Sequence, residues 1–235
     1  MNNCIQFVTN NDWFDPVITV VSVLVGAGLA YFTTNRFEQK KLKQEQLATA
    51  YSIIFKVQKM LDDLLKIEMH LDETKKEASA AGVEGSPWST MTDIIGFTNS
   101  DISVNADELA LIAVTKDSDL VMKVRELESG HGSILSALRK LGELRDDLAR
   151  SGLITHVDGQ TFSFEASELE YAQIAPTLIN LETLANSLTP MLPRLIAAGK
   201  ETAHELGPHL KKHYKFEHFI TLSFPELQET EHQAN

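Results

Sequence analysis

From Pro16 to Asn35 the chain runs twenty residues without a charged side chain, and Arg36, Lys40, Lys41 and Lys43 follow within the next eight. A helix of that length spans roughly 30 Å, the thickness of a bilayer's hydrocarbon core. The strongly apolar part, Val17 to Phe32, is sixteen residues, which is short for a span. Trp13 and Phe14 on one side and Tyr31 and Phe32 on the other supply interfacial aromatics, and Arg36 can snorkel to make up the length. Asp15 and Pro16 suit a helix start, where Asp satisfies free N–H groups and proline forfeits no hydrogen bond. A buried helix of a soluble protein would need heavy tertiary support for so much Val, Gly and Thr. A cleaved signal peptide would use Gly28-Leu29-Ala30 as its cleavage site, but residues 1–12 hold no Lys or Arg to form a basic leader. The pattern predicts a transmembrane helix over residues 14–35.

Its flanks predict an orientation. Asp12 and Asp15 precede the run and four basic residues follow it, so the positive-inside bias puts residues 1–13 outside the cell membrane and the remainder in the cytoplasm. The expected location is a bacterial inner membrane, crossed once. Arg36, Lys40, Lys41 and Lys43 would then meet anionic lipid headgroups. Ser22, Gly26 and Ala30 recur every four residues, a small-residue stripe of the kind that lets membrane helices approach closely, and they predict self-association.

The net charge of −12 argues against a general nucleic-acid binder, which needs a basic footprint. Cys4 is the single cysteine, so neither a disulfide framework nor a cysteine metal site exists. Residues 36–225 are enough for one domain with a full core, and residues 226–235 read as an acidic, solvated tail.

Helical periodicity dominates that region, and convincing strands are absent. Ala50, Ile53, Val57, Met60, Leu64, Ile67 and Leu71 alternate spacings of three and four, a heptad seam, with Leu47, Tyr51, Ile54, Leu61 and Leu65 beside it. Ser86-Pro87 predicts a short helix reaching Ile95, with Trp88 tucked into the core. Asn105 predicts the cap of another short helix through Val114. Asp117 or Ser118 opens a long helix ending near Arg150, with the seam Leu120, Val124, Leu127, His131, Ile134, Leu138, Leu141, Arg145 and Leu148. Val157 to Gln160 suits a tight turn, helicity resumes near Ala166, and Pro176 predicts a kink. Pro190 and Pro193 predict the end of one helix and the start of the next, which runs to Glu205 or to Lys215. The expected fold is all-α: an N-terminal membrane helix continuing into an antiparallel bundle of about four main helices.

Gly130 and Gly132 flank His131 on the long seam, and each mid-helix glycine costs about 1 kcal/mol relative to alanine. The triplet reads either as a hinge with a pH-responsive imidazole or as a structural core histidine beside glycines that admit a bulky neighbour such as Tyr51 or Phe55. His204, His209, His213, His218 and His232 crowd the C-terminal region, with His209, His213 and Glu217 at helical spacing. No H-E-x-x-H motif, phosphate loop or nucleophile elbow accompanies them. No catalytic, metal or cofactor residue is assigned. The expected role is non-enzymatic: a membrane-anchored, homo-oligomeric interaction, scaffold or signalling subunit with membrane lipids and a protein as its partners. The alternatives are an oligomeric pore gated by the bundle and a metal-dependent enzyme using the C-terminal histidines.

Overall fold

A computed structural model describes residues 14–80, 82, 86–91, 102–151, 154–158, 161–164, 167–216 and 219. The chain divides into two compact units, Met1–Ala48 and Thr49–Asn235. The first helix, α1 (Phe14–Ala80), supplies the described part of the first unit and continues in secondary structure into the second. The remaining elements are α2 (Pro87–Thr90), α3 (Ala106–Ala113), α4 (Ser118–Arg150), β1 (Ile154–Asp158), β2 (Thr161–Phe164) and α5 (Glu168–Tyr214).

In the first unit every described side chain from Thr19 to Glu45 is exposed, among them Val21, Leu24, Leu29 and Phe32. Among the described residues, no helix is long and apolar enough to cross a membrane. The described side chains begin at Thr19, inside the uncharged run that opens at Pro16. The transmembrane assignment of residues 14–35 is therefore not carried by the described residues, and the proposed outer segment 1–13 and tail 226–235 lie outside them.

The second unit is a helical bundle, as the periodicity predicts. The α1 seam from Ala50 to Ile67 is fully buried, and so are Leu120, Val124, Leu127, Ile134, Leu141 and Leu148 of α4. Leu71 and Leu138, also placed on these seams, are half-buried. Three long helices build the frame instead of four. On α5, Gly199 is a point of close approach: a Cβ there would come within 3.1 Å of Leu127 Cδ1 and 3.2 Å of Leu61 Cδ1. Descending α5 from Glu205 to Leu195, its partners on α4 ascend, since Lys123 bonds Glu201 and Glu205 while Gly130 faces Leu195. On α1, Tyr51 stacks on Phe219 and Leu61 meets Gly199, the same sense. Helices α1 and α4 thus run parallel, with α5 antiparallel to both. The antiparallel arrangement is corrected to this extent: with α1 and α4 parallel, the connection between them crosses from one end of the bundle to the other.

That crossover is pinned at both ends. Met91 accepts a hydrogen bond from Arg145 Nη1 near the end of α4, and the Ser103 carbonyl accepts one from Lys56 Nζ (2.7 Å) on α1. Arg145, 9 % exposed on the seam, thereby has a backbone carbonyl as one of its partners. The short helix α2 stops at Thr90, where Met91 is extended, and does not reach Ile95; Trp88 is buried as expected. Asn105 and Glu108 close a capping box that starts α3, and Asp117 caps α4.

Two further expectations change. Strands β1 and β2 pair antiparallel, with Asp158 opposite Thr161, so the bundle carries two short strands. Helix α5 also runs unbroken past Pro176, Pro190, Pro193 and Pro208. All four prolines are exposed, and so are Ala172, Asn186, Thr189 and His204, the residues four positions earlier whose carbonyls lose a helical partner. Water can hydrate those carbonyls, while burial of Leu188, Leu192 and Ile196 on the opposite face holds the helix together.

Helix α3 docks on α1 through Glu108, 1 % exposed, whose carboxylate accepts from Ser52 Oγ (2.6 Å), Lys56 Nζ (2.8 Å) and the Asn105 N–H (2.8 Å). Burial alone would raise its pKa, but these hydrogen bonds and the Lys56 charge outweigh it and hold the carboxyl below its ordinary 4.5. A depressed carboxyl stabilises the fold above its unfolded value and loses that contribution as pH falls through the folded value. Glu108→Ala is expected to destabilise the protein by about 2–3 kcal/mol at pH 7. Urea titrations at pH 7 and pH 3.5 should show that difference shrinking at the lower pH.

Candidate functional site

Two regions bring the sequence-selected residues together, and each is described within its own unit. In the first, Ser22, Gly26 and Ala30 lie on one exposed face of α1. A Cβ at Gly26 would meet nothing within 4 Å, so that face is open to close approach. One turn beyond, the Arg36 guanidinium lies 4.3 Å over the Phe32 ring, a cation–π contact that leans the charge back along apolar surface. Lys41 pairs loosely with Glu45 at 3.8 Å, and Lys40 and Lys43 are exposed. Such exposed pairs are worth little energetically, so these cations stay available to an anionic surface.

The second region is the bundle core at His131. The side chain sits between α4 and α1 and is 1 % exposed. Its Nε2 lies 3.5 Å from Oδ2 of Asp63, also 1 % exposed, and neither atom has a hydrogen-bond partner. The other Asp63 oxygen accepts from Lys59 Nζ one turn earlier on α1. Burial pushes the His131 pKa below its ordinary 6.5, and the opposing attraction of Asp63 does not restore it. The imidazole is therefore held neutral at neutral pH. Asp63 was not selected from the sequence: it lies beside the seam, one position before Leu64, where spacing alone does not mark a carboxylate as buried.

The flanking glycines have different roles. A Cβ at Gly130 would fall 2.6 Å from Leu195 Cδ1 and 2.8 Å from its Cδ2, so Gly130 is the socket for a leucine of α5. The admitted neighbour is Leu195, not Tyr51 or Phe55. Gly132 is exposed, with nothing within 4 Å of the added carbon. The triplet is thus one packing glycine, one buried imidazole and one glycine without a steric requirement.

Among the described residues, the C-terminal histidines do not gather at one site, and Glu217 of the His209, His213, Glu217 set lies outside them. His204 and His213 are exposed, while His218 and His232 lie outside the described residues. His209 turns to the α3–α4 connection, with Nε2 2.7 Å from Thr115 Oγ1 and Nδ1 3.5 Å from Asp117 Oδ2. The order hydroxyl, imidazole, carboxylate matches that of a hydrolytic triad. However, Thr115 donates its proton to the Ile112 carbonyl (2.6 Å), and Asp117 caps α4 through the Leu120 N–H (3.0 Å). The contact is a clamp on the turn, not an activated nucleophile. Among the described residues no three His, Cys, Asp or Glu side chains gather as a metal site. No protein-family model matches the chain, and neither a curated protein nor a solved structure shows significant similarity to it.

Replacing each glycine separates the roles. Gly132→Ala should stabilise by about 0.5–1 kcal/mol, seen as a melting temperature raised by roughly 2 °C. Gly130→Ala should instead lose about 1 kcal/mol, because Leu195 must move. For His131 the sign follows from a lowered folded pKa: the unfolded state binds more protons below about 6.5, so stability is retained above that pH and falls on acidification. Melting curves from pH 7.5 to pH 5.5 should show a steeper decline for the wild type than for His131→Leu. Equal slopes would assign the acid sensitivity to other groups.

Proposed function

We propose that the chain is a membrane-tethered helical-bundle protein that works as a homo-oligomeric interaction, scaffold or signalling subunit. One observation carries the reading: on the first unit, Val20, Val21, Val23, Leu24, Val25, Leu29 and Phe32 are all more than half exposed along one helix, and a basic cluster follows. Contiguous apolar surface on this scale is not left to water in a stable protein; lipid or another protein covers it. In the sequence Val17 and Ile18 extend the same run towards Trp13 and Phe14. Lipid accounts for both the apolar run and the cations after it, whereas a protein groove accounts for the run alone. With N-terminus out and bundle in the cytoplasm, the Ser22, Gly26 and Ala30 face becomes a helix–helix contact in the bilayer.

Full-length protein should remain in the pellet after alkaline carbonate extraction, and a reporter fused after Asn235 should be active only in the cytoplasm. Release into the carbonate supernatant as a monomer would overturn the tether. Gly26→Ile together with Ala30→Ile should lower the yield of crosslinked oligomer in detergent by several-fold, without changing the melting of the bundle.

A further inference from the structure

The buried layer at His131 is built across two helices and carries a balanced charge. Asp63 of α1 and His131 of α4 are each 1 % exposed, and Oδ2 faces Nε2 at 3.5 Å with neither atom hydrogen-bonded. Lys59 Nζ already sits on the other carboxylate oxygen, so one cation balances one anion. A proton on His131 therefore adds a surplus positive charge to the interior, where an uncompensated charge is costly. Among the described residues, the charged groups acting on the imidazole are Asp63, which favours the proton, and Lys59, which opposes it; both belong to α1. Helix α5 packs against the same stretch of α4 through Leu195 at Gly130 and brings the imidazole no titratable group.

We infer that the Lys59–Asp63–His131 layer is an acid-operated latch: closed while His131 is neutral, it releases α1 from α4 around Asp63 when the imidazole gains a proton, and the rest of the bundle holds. Release relieves the surplus charge by giving the imidazolium access to water. Burial outweighs the attraction of Asp63 and sets the pKa of the closed form below the ordinary 6.5. The open form thus takes the proton more readily, and acid shifts the balance towards it. Three features confine the opening to this interface. Helices α1 and α4 run parallel with no short loop to clamp them together. About two turns before Asp63, Lys56 stays fastened to Glu108, whose carboxyl is held below its ordinary 4.5 and so remains ionised at pH 5.5. On the other side, α4 and α5 are locked by Leu195 over Gly130, by Leu127 against Gly199 and by Lys123 with Glu201 and Glu205, contacts that involve no imidazole. The latch lies inside the second unit and does not depend on the proposed tether.

Spin-label distances on the full chain in detergent, between pH 7.5 and pH 5.5, test the latch. In a Cys4→Ser background, Lys66→Cys with Ser133→Cys spans α1 and α4, and Ser133→Cys with Ala197→Cys spans α4 and α5; all three positions are exposed. The expected result for the first pair is a longer-distance population that grows on acidification and reverses on return to pH 7.5. Its ratio to the closed population should rise by no more than about ten-fold per pH unit, the limit for a single proton. The second pair should keep one distance throughout. His131→Gln and His131→Leu should each hold the α1–α4 distance of the neutral protein at pH 5.5. The glutamine keeps a polar group beside Asp63 and covers the case in which leucine disturbs the fold. An α1–α4 distance unchanged down to pH 5.5, a steeper rise, both pairs lengthening together, or a response that persists in His131→Gln would overturn the inference.

Discussion

The seating of leucines on glycines between α4 and α5 sets the register on which the second unit depends. Leu195 of α5 fills the space over Gly130, and Leu127, one turn earlier on α4, reaches across to Gly199 of α5, with Leu61 of α1 beside it. The two contacts are reciprocal: each helix offers a knob and accepts one within the same antiparallel turn. Each glycine costs about 1 kcal/mol of helix propensity, and the close approach it permits restores that through packing along both seams. Outside this layer the Lys123 ammonium, held by Glu201 and Glu205 at 2.7 and 2.8 Å, closes the α4–α5 edge. Hydrogen bonds to those carboxylates raise its pKa, so the lysine stays charged through the physiological range.

With α5 antiparallel to both, α1 and α4 run parallel, and that decides the role of the crossover. Parallel neighbours cannot be joined by a tight turn, so the segment between them must leave one end of the bundle and re-enter at the other. Met91 near Arg145 and Ser103 near Lys56 mark those two points. The small helix α3 then does more than connect. Its Glu108 ties it to Ser52 and Lys56 of α1, Tyr214 of α5 donates to its Leu111 carbonyl (2.7 Å), and His209 grips the turn that leads into α4. All three long helices are tied to one eight-residue element.

How much of this was legible depended on which physical signal carried each element. The α4 seam was readable from Leu120 to Leu148 because apolar spacing alone places it, and the starts of α3 and α4 were readable because Asn105 and Asp117 are short acceptors before a periodic run. The continuity of α5 was not. Proline rules describe the local loss of a hydrogen bond, whereas the outcome at Pro190 and Pro193 is set by which face the ring occupies, a tertiary fact. The strand pair was half-read: a turn over Val157 to Gln160 was expected, but nine strand residues fall below the length at which alternation separates from noise. Of the candidate sites, the glycines and histidine were found by their oddity. Asp63 was passed over because Asp is usually solvent-facing, and only its partner across the interface marks it as core.

The Asp63–His131 layer adds little stability by itself. Two orphaned polar atoms 3.5 Å apart in the interior forgo part of the hydration they had in the unfolded chain, and an apolar pair of equal volume would fit the seam better. What the layer supplies is register. Sliding α1 along α4 by one heptad sets Asp63 against Val124 or Leu138, and sets His131 against Lys56 or His70. Either shift strands a carboxylate against hydrocarbon and breaks the Lys59–Asp63–His131 chain, whereas the apolar seams on both helices tolerate the same shift with little loss, one aliphatic residue replacing another. The polar layer thus distinguishes registers that the hydrophobic pattern leaves nearly degenerate, and it does so for the one helix pair in the bundle frame that runs parallel and has no short loop to fix its alignment.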